Sequence, residues 1–527
     1  MFIQRIHKKT PNKTYTSVVL MENYREGKKV KHRIISNLSK WSPKLISDFE
    51  KILKGKKVTS ISDLNFTQGK TVGGIFTVSQ IAKELGIKKA LGYSEQAKLA
   101  MVQIAGRVLS QGSRNYLAKE WKLGQAIDKV FNVNNFDKYD LYENLDWLSE
   151  NQEKIEKKLF AYRNKNQLIK NIYLYDVTSS YFEGNKNELA EYGYNRDKKS
   201  GKKQIVIGLL TDDKGYPVSI EVFKGNTGDT KTVSSQLEKL KENFGVERVT
   251  FVGDKGMVKS SQIAEIESDK YKWNYLTTIT KQQIRTLISK DIIQLDLFAE
   301  KIIEVKTEDN IRYILRRNPI RAEELKQNRQ SKIDKIKVYV SEQNIYLKEH
   351  KRAQPEVALR KIKDRISKLK LKNILKPGLN KRIISIDTDK QAQTKAKELD
   401  GCYVVKTNVL EENIDAQTAH NRYKDLANVE FAFRTMKTTI EKVRPIYLRK
   451  ANRTKGHVFV VMLAYIIIKN ITDKLSKLDY SREFIFESLD KINYLEYTHH
   501  DRTLNIIPTN LLPHQKEILK KLNIKLK

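Results

Sequence analysis

The sequence predicts an α/β protein whose centre is a mixed five-stranded sheet flanked by helices. Apolar runs of strand length recur between residues 171 and 280, and helical patterns separate the later runs. A helical pattern with two distinct faces follows near residue 430. The chain has 527 residues, which is too many for one core when domains hold roughly 150 residues each. We therefore expect further structural regions around this sheet.

Two regions precede the sheet and one ends the chain. Residues 1–40 predict a basic β-hairpin, with strands at Tyr15–Leu20 and Lys29–Ile35. This hairpin is interpreted as a DNA contact, a dimer edge or a cap on the next domain. Residues 41–170 predict a basic helical domain, which fits either DNA binding or a scaffold. Residues 471–527 predict a C-terminal helical region.

Residues 171–280 supply the strands of the core. The first three strands form a meander, whereas the last two follow helical patterns and are expected to pair in parallel through crossovers. This order is the ribonuclease-H-like plan, and residues 409–470 complete it. The predicted strands are Ile172–Tyr175, Gln204–Thr211, Pro217–Phe223, Val249–Gly253 and Trp273–Ile279.

Residues 281–408 interrupt this core as a basic αβ insertion. The region begins with a probable hairpin around Asp309 and Asn310 and continues with two long helical patterns rich in Lys and Arg. A strand, a helix and another strand then follow. The insertion is interpreted either as a clamp over bound DNA or as a stabilising lobe with solvated charge.

A two-faced helix is predicted at His420–Ile446. Tyr423, Glu430 and Lys437 recur every seven residues and so share one stripe, and Arg434 lies on the same side four residues after the acid. A separate apolar stripe consists of Leu426, Val429, Phe433, Met436 and Ile440. Taken alone, this pattern also fits an ordinary amphipathic helix with solvated charges.

The charge of the chain points to a polyanionic partner. Lys and Arg total 100 against 63 Asp and Glu, which gives a formal net charge of +37. Nucleic acid is the commonest partner of so basic a surface. A membrane-surface protein is the competing class, but it would need an amphipathic anchor or a lipidation signal, and the sequence offers neither. The longest apolar run, residues 458–468, is too short to cross a bilayer.

Cysteine usage and the first residues suggest a location. Cys402 is the single cysteine, so we expect neither an internal disulfide nor a zinc site built on cysteines. Its apolar neighbours predict a small buried residue. The first residues lack the apolar segment of a secretory signal. We therefore expect the protein in a reducing cytoplasm.

Three acids stand out by their context. Asp176 ends the first core strand, Asp254 ends the fourth, and Glu430 lies on the two-faced helix. An Asp at a strand end can instead begin a turn or cap a helix. In the predicted plan, however, the first and fourth strands are neighbours, so both carboxylates should meet at one end of the sheet, where Glu430 can join them.

Such a cluster predicts a metal site. Three carboxylates repel one another unless a cation lies among them, and oxygen ligands favour Mg²⁺ or Mn²⁺. Two such ions roughly 3.5–4 Å apart can activate an attacking oxygen and stabilise the leaving oxygen of a phosphodiester. The predicted chemistry is therefore metal-dependent phosphodiester cleavage, with the positive surface holding the DNA backbone.

The same residues carry a family resemblance. The order DVT…FE from Asp176, VGDKG around Asp254 and Y-x2-L-x3-E-x6-K from Tyr423 resembles the DDE transposases of bacterial insertion sequences. It most resembles the branch with the Y-x2-R-x3-E-x6-K signature, whose Arg position holds Leu426 here. The acids are 78 (254 − 176) and 176 (430 − 254) residues apart, and their order and context together are far more specific than any one of them.

The resemblance implies cut-and-paste transposition. A homodimer would bind terminal inverted repeats in a synaptic complex, nick one strand at the element end, and use the freed 3′-hydroxyl to attack the opposite strand or target DNA. Asp176, Asp254 and Glu430 would be the catalytic and metal-binding residues. The implied DNA contacts are Tyr423, Arg434, Lys437 and Arg444. The implied location is the bacterial cytoplasm, at the nucleoid when DNA is bound.

Two alternatives remain open at this stage. A structure-specific nuclease could use the same fold and the same acids without strand transfer. A non-catalytic DNA-binding protein would need none of the three acids, so the intact set argues against that class.

Overall fold

The computed structural model describes residues 1–11, 13–56, 58, 65–165, 171–182, 184, 186–194, 196, 201–439, 447–499, 502–507 and 510–526. They divide into two units. The first unit contains residues 1–70 and 492–511, and the second contains residues 71–491 and 512–526. The residues that carry the predicted chemistry all belong to the second unit.

Sheets in both units are built from the following strands, numbered in chain order. They are β1 (Phe2–Thr10), β2 (Lys13–Glu26), β3 (Lys29–Asn37), β4 (Asn65–Thr71), β5 (Ile172–Tyr181), β6 (Gln204–Asp212), β7 (Pro217–Lys224), β8 (Thr250–Gly253), β9 (Asn274–Thr278), β10 (Ile303–Lys306), β11 (Arg312–Arg317), β12 (Leu375–Asn380), β13 (Ile383–Thr388), β14 (Cys402–Thr407), β15 (Asn493–His499) and β16 (Arg502–Ile506).

Helices are numbered in the same way. They are α1 (Pro43–Leu53), α2 (Gly73–Glu84), α3 (Ile87–Leu91), α4 (Glu95–Leu109), α5 (Arg114–Tyr116), α6 (Lys122–Gly124), α7 (Ile127–Phe131), α8 (Lys138–Lys165), α9 (Val233–Glu238), α10 (Ser260–Glu267), α11 (Lys281–Ser289), α12 (Pro319–Glu349), α13 (Pro355–Lys368), α14 (Lys390–Glu398), α15 (Ala416–Lys424), α16 (Leu426–Arg434), α17 (Ala451–Lys474), α18 (Arg482–Asp490) and α19 (Pro513–Lys521).

The first unit contains the predicted hairpin and extends it. β2 and β3 pair antiparallel across a turn at Gly27, whose φ of +64° suits glycine. β1, which the sequence analysis did not predict, pairs with the other edge of β2. Its sequence holds four basic residues among nine, so it lacks the apolar alternation by which strands are found. A second sheet, in the order β16-β15-β4, lies in regions that were predicted to be helical.

The second unit is organised around one mixed sheet. Among the described residues, eight strands form it in the order β10-β11-β14-β9-β8-β5-β6-β7. β5, β6 and β7 form an antiparallel meander, whereas β8 and β9 join β5 as parallel strands. β6 is buried along its whole length, which explains its near-continuous apolar sequence. These five strands are the ones that the sequence predicts, in the predicted order.

The sheet is wider than the five strands that were predicted. β14 pairs antiparallel with β9, and β11 and β10 follow it outward, so part of the 281–408 insertion completes the main sheet. The physical reason is that β9 would otherwise expose an unpaired edge. The rest of the insertion, α12, α13 and the β12–β13 hairpin, encloses a core of its own, here called the insertion lobe.

α17 is the central helix of the second unit. It packs against α8 and α4, and Gly456 approaches α8 so closely that a Cβ would lie 2.1 Å from the carbonyl oxygen of Leu145. By length and composition α17 is the one helix in the described ranges that could cross a membrane, but 78% of its most apolar stretch is buried inside the protein. It is therefore the buried core helix predicted from residues 458–468.

Two predicted helices are interrupted. The pattern at Arg107–Lys122 does not form one helix, because α4 ends at Leu109 and the hydroxyl of Ser113 accepts a hydrogen bond from the Tyr116 N–H (3.1 Å) to begin α5. The helix predicted at His420–Ile446 begins earlier, at Ala416, and is divided at Asp425 into α15 and α16. A π-helical turn at Thr435–Thr439 follows α16. Residues 440–446 lie outside the described residues.

Candidate active site

Sheet register brings Asp176 and Asp254 to the same place. The parallel pairing of β5 with β8 runs from Ile172 opposite Thr250 to Tyr175 opposite Gly253, so the two acids are the next residues on neighbouring strands. β8 ends there, but β5 continues to Tyr181 because its antiparallel pairing with β6 goes on. Asp176 therefore lies within a strand and does not end it, which corrects the sequence-based expectation.

Asp254 is fixed by its own loop. The backbone N–H groups of Gly256 and Met257 donate to its Oδ1, at 2.5 and 3.3 Å. A Cβ at position 256 would lie 2.9 Å from that oxygen, so a residue without a side chain suits this close approach. The carboxylate is exposed at the surface, which leaves it accessible to a ligand.

Glu430 reaches the site from α16. This helix packs on β5 and β6 through a buried face that contains Leu426, Val429 and Phe433, while Glu430 is exposed. The helix is further positioned by the β6–β7 turn, where a Cβ at Gly215 would lie 2.7 Å from the Cβ of Asn428. Leu426, which occupies the Arg position of the family signature, is buried. Its place in the predicted apolar stripe indicated this packing.

Electrostatics show that the three acids share one environment. Burial, together with the charges of Asp254 and Glu430, raises the pKa of Asp176 to about 7, against the lowering effect of the Val177 N–H and the charge of Arg196. Burial also raises the pKa of Tyr423, and all three carboxylates add to that rise. Tyr423, whose hydroxyl is 2.9 Å from Thr278 Oγ1, therefore lies beside the whole acid set.

The predicted basic residues differ in their placement. Lys437, in the π-helical turn, donates to the hydroxyl of Thr178, which lies two residues after Asp176 and so on the same face of β5. Arg434 is exposed at the end of α16. Arg444 lies outside the described residues.

Two further residues belong to this site and were missed by the sequence analysis. Thr178 could have been found, because strand alternation puts it on the same face as Asp176. Arg196 carried no signal, since it lies in the connection between β5 and β6. Its guanidinium pairs with Asp229 at 2.6 Å, and its backbone N–H donates to Ser179 of β5 at 3.0 Å.

The donor set fits a divalent cation in its chemistry. It consists of carboxylate oxygens, the ligands that Mg²⁺ and Mn²⁺ prefer, and a cation would stabilise the ionised form of Asp176, which the raised pKa shows to be disfavoured without one. Within the described residues, no three Asp, Glu, His or Cys side chains are already grouped to hold one ion.

Comparison with known proteins identifies the family. Residues 168–467 match the transposase DDE domain, a span of 300 residues (467 − 168 + 1) that exceeds half of the chain. The chain belongs to the DDE transposase family. Residues 3–62 match the N-terminal domain of IS1634 family transposases. The protein is thus a DNA transposase, an enzyme that acts on DNA, and DDE domains generally use divalent metal ions.

A solved structure also resembles this chain, whereas the curated proteins do not. A cryo-EM structure of the piggyBac transposase synaptic complex with hairpin DNA is similar to this chain at 10% sequence identity and a TM-score of 0.36. The similarity covers 79% of this chain and 76% of that chain. A search of curated proteins gives no match.

The raised pKa of Asp176 predicts that the free energy of unfolding of the metal-free protein depends on pH. Between its ordinary pKa of 3.8 and about 7, the unfolded chain releases the proton that the folded chain keeps, so stability falls as pH rises through this window. We expect the free energy of unfolding of Asp176→Asn to exceed that of the wild type at pH 8 by up to about 4 kcal/mol. This difference should shrink toward pH 4.

Urea unfolding in EDTA at several pH values measures this difference. Asp269→Asn is the matched control, because that side chain is fully exposed and its removal should leave the pH dependence unchanged. Parallel pH profiles for Asp176→Asn and the wild type would contradict the prediction.

Proposed function

We propose that this transposase cuts DNA at the ends of its element and joins the freed ends to target DNA, with Asp176, Asp254 and Glu430 as its catalytic acids. The observation that carries the proposal is the half-buried Asp176, which is in register with Asp254 and electrostatically coupled to Glu430. Two carboxylates on neighbouring strands and a third on a packed helix could hold the divalent ions that would position a phosphodiester for in-line attack. The strand order supports a ribonuclease-H-like core.

The metal in this proposal is Mg²⁺ or Mn²⁺, as two ions held by the three acids. When bound, the ions activate the attacking oxygen and stabilise the leaving oxygen. Asp176 contributes a half-buried carboxylate, and Asp254 is oriented by the two N–H donors of its loop. Glu430 contributes from a helix whose other face is locked into the core.

The cations and the phenol are proposed to hold the DNA strand. Lys437 lies where a phosphate oxygen could replace Thr178 as its acceptor, and Tyr423 presents its ring and hydroxyl beside the acids. Arg434, and Arg444 beyond the described residues, are proposed to contact flanking phosphates. The active form is proposed to be a homodimer that synapses two terminal inverted repeats, in the bacterial cytoplasm.

The basic regions outside the core have proposed roles as well. Residues 41–170 are proposed to bind DNA near the element end, and the insertion at residues 281–408 to cover it. α13 supports the second role, because it carries five Lys or Arg against two acids in 14 residues. Phosphate contacts of this kind position DNA without reading its sequence.

The decisive experiment incubates purified protein with the terminal repeats of its element, a supercoiled target and Mg²⁺ or Mn²⁺. Strand joining that is lost in Asp176→Ala, with end binding retained, supports the proposal. Cleavage without joining would instead favour a nuclease. Binding without cleavage under either metal would overturn the catalytic assignment.

A further inference from the structure

The insertion is joined to the helix of Glu430 by contacts that have no role in the proposed chemistry so far. β11 belongs to the insertion, yet two of its arginines contact the segment that leads from β14 to Glu430. Arg312 and Arg316 are four residues apart on this strand, so their side chains lie on the same face of the sheet. One of them contacts the loop before α15, and the other contacts α15 itself.

Arg312 connects two separate parts of the chain, and its side chain is completely buried. It forms a fork with the carboxylate of Glu304 on β10, with Nε 2.5 Å from Oε1 and Nη2 2.9 Å from Oε2. Its Nη1 donates to the carbonyl oxygens of Val409 and Ile414, at 2.9 and 2.8 Å. One guanidinium thus holds the loop of residues 409–414 against the β10–β11 hairpin.

The loop that Arg312 holds determines where α15 begins. Asp415 follows the loop directly and is the N-cap of α15, where its carboxylate accepts from the Thr418 N–H at 2.6 Å. The hydrogen bonds with Glu304, together with the charges of Glu411 and Asp415, raise the pKa of Arg312 against the effect of burial. The acids of the loop therefore lie near the guanidinium, and holding the loop fixes the first turn of α15.

Arg316 contacts α15 about one turn further along. Its Nη1 lies 3.4 Å from Nε2 of the fully buried His420, and its Nε donates to the carbonyl oxygen of Glu300 at 3.1 Å. The hydroxyl of Tyr403 on β14 contacts the same imidazole nitrogen. Because a guanidinium can only donate, this nitrogen is an acceptor and His420 is neutral. Burial lowers the pKa of His420, which agrees with the neutral form.

Two residues of the candidate active site depend on where α15 lies. Tyr423 is on α15, and Glu430 is on α16, which begins directly after the break at Asp425. β14, β9 and β8 separate β11 from β5, so at roughly 4.8 Å per strand Arg312 is on the order of 19 Å from the strand of Asp176. An effect of Arg312 on catalysis must therefore act through α15 and α16.

We propose that Arg312 is a positioning residue for the reaction. It holds the loop before α15 so that α15 and α16 present Tyr423 and Glu430 to the acids of β5 and β8. Arg316 supports the same helix at the second point of contact. The insertion then contributes to catalysis through the protein itself, in addition to covering DNA. The inference rests on the proposed function, because it assumes that Glu430 is a catalytic acid.

Arg312→Lys is the direct test. This variant keeps a buried cation beside Glu304, so the carboxylate retains a partner, but one ammonium group cannot also reach both carbonyl groups of the loop. Arg316→Met is a second variant that leaves the contacts of Arg312 in place. Ile518→Ala is the control for stability, because Ile518 is fully buried in α19 and its truncation creates a cavity outside the segment that Arg312 holds. Thermal unfolding shows how far each variant is destabilised.

The first measurement needs neither metal nor DNA. Hydrogen–deuterium exchange in EDTA follows peptides that cover residues 409–434. We expect exchange there to be severalfold faster than in the wild type for Arg312→Lys and to rise less for Arg316→Met, while α8 keeps its wild-type rate. Ile518→Ala should speed exchange in α18 and α19 only. Unchanged exchange over residues 409–434 in Arg312→Lys, or an equal rise in α8, would overturn the inference.

The second measurement looks for an effect that a loss of folded protein cannot produce. Single-turnover cleavage of bound element ends is measured against the concentration of Mg²⁺. For Arg312→Lys we expect the half-maximal Mg²⁺ concentration to rise roughly tenfold and the maximal rate to fall roughly a hundredfold, with end affinity within about twofold of the wild type. Ile518→Ala should keep the wild-type Mg²⁺ requirement. A reduced amplitude at an unchanged Mg²⁺ requirement in Arg312→Lys would make Arg312 a structural residue only and overturn the inference.

These results separate the inference from the proposed function. If the wild type cleaves and joins DNA and Arg312→Lys matches it at every Mg²⁺ concentration, only the positioning role fails. If the wild type never cleaves with Mg²⁺ or Mn²⁺, the proposed function fails. The exchange result then still decides whether Arg312 holds the segment that carries Glu430.

Discussion

Glu430→Gln is expected to abolish DNA cleavage and strand joining, by roughly a thousandfold or more, while the protein still folds. The amide has nearly the shape of the carboxylate but lacks its charge, so it cannot stabilise a cation beside Asp176 and Asp254. The fold should be unaffected because Glu430 is exposed and the buried face of α16 is unchanged.

A single-turnover cleavage assay measures the loss, and circular dichroism checks the fold. Glu342→Gln is the matched control, because Glu342 is also an exposed helical acid but lies on α12 in the insertion lobe. Full activity in Glu430→Gln would remove this residue from the catalytic set.

Arg163→Met is expected to destabilise the fold by about 3–5 kcal/mol, because it leaves a buried carboxylate without its partner. Arg163, near the end of α8, donates to Asp212 at 2.5 Å and to the Pro217 carbonyl oxygen at 2.7 Å. The two charged side chains are only 5% and 1% exposed. This ion pair holds the β6–β7 turn in place, and that turn positions α16 and Glu430.

Urea unfolding near neutral pH measures this loss. Adding Asp212→Asn to Arg163→Met should recover much of it, since the amide oxygen can still accept from the N–H groups of Lys214 and Tyr216. Arg321→Met is the control, because its pair with Glu324 is exposed and should change stability by no more than about 1 kcal/mol. Equal losses for the two single variants would show that burial does not govern this ion pair.

The local parts of this structure were predictable from the sequence. The five central strands follow from apolar runs, and the adjacency of Asp176 and Asp254 follows from the parallel pairing that a helical crossover requires. Leu426 could be assigned to the core because its spacing matches the apolar stripe of the helix. These inferences depend on residues that are close in sequence, or on the rule that a helical crossover joins parallel strands.

The non-local parts were not predictable in the same way. Nothing in the sequence around Thr278 or Val405 specifies that they pair, yet this pairing widens the sheet to eight strands. Arg196 reaches the site only because the chain between β5 and β6 folds back toward Ser179. The break at Asp425 was missed because the seven-residue spacing continues through it. Tertiary packing decided each of these features.

The pairing of β9 with β14 also sets an order of events during synthesis. β9 ends at Thr278, but its partner does not exist until the chain reaches residue 407, and α16 follows later still. An emerging chain therefore holds Asp176 and Asp254 next to an unprotected strand edge, which is a site for misassociation. Glu430 is synthesised only after β14, the strand that closes that edge. The proposed cutting centre can thus be completed only after the strands of the sheet that supports it have been synthesised.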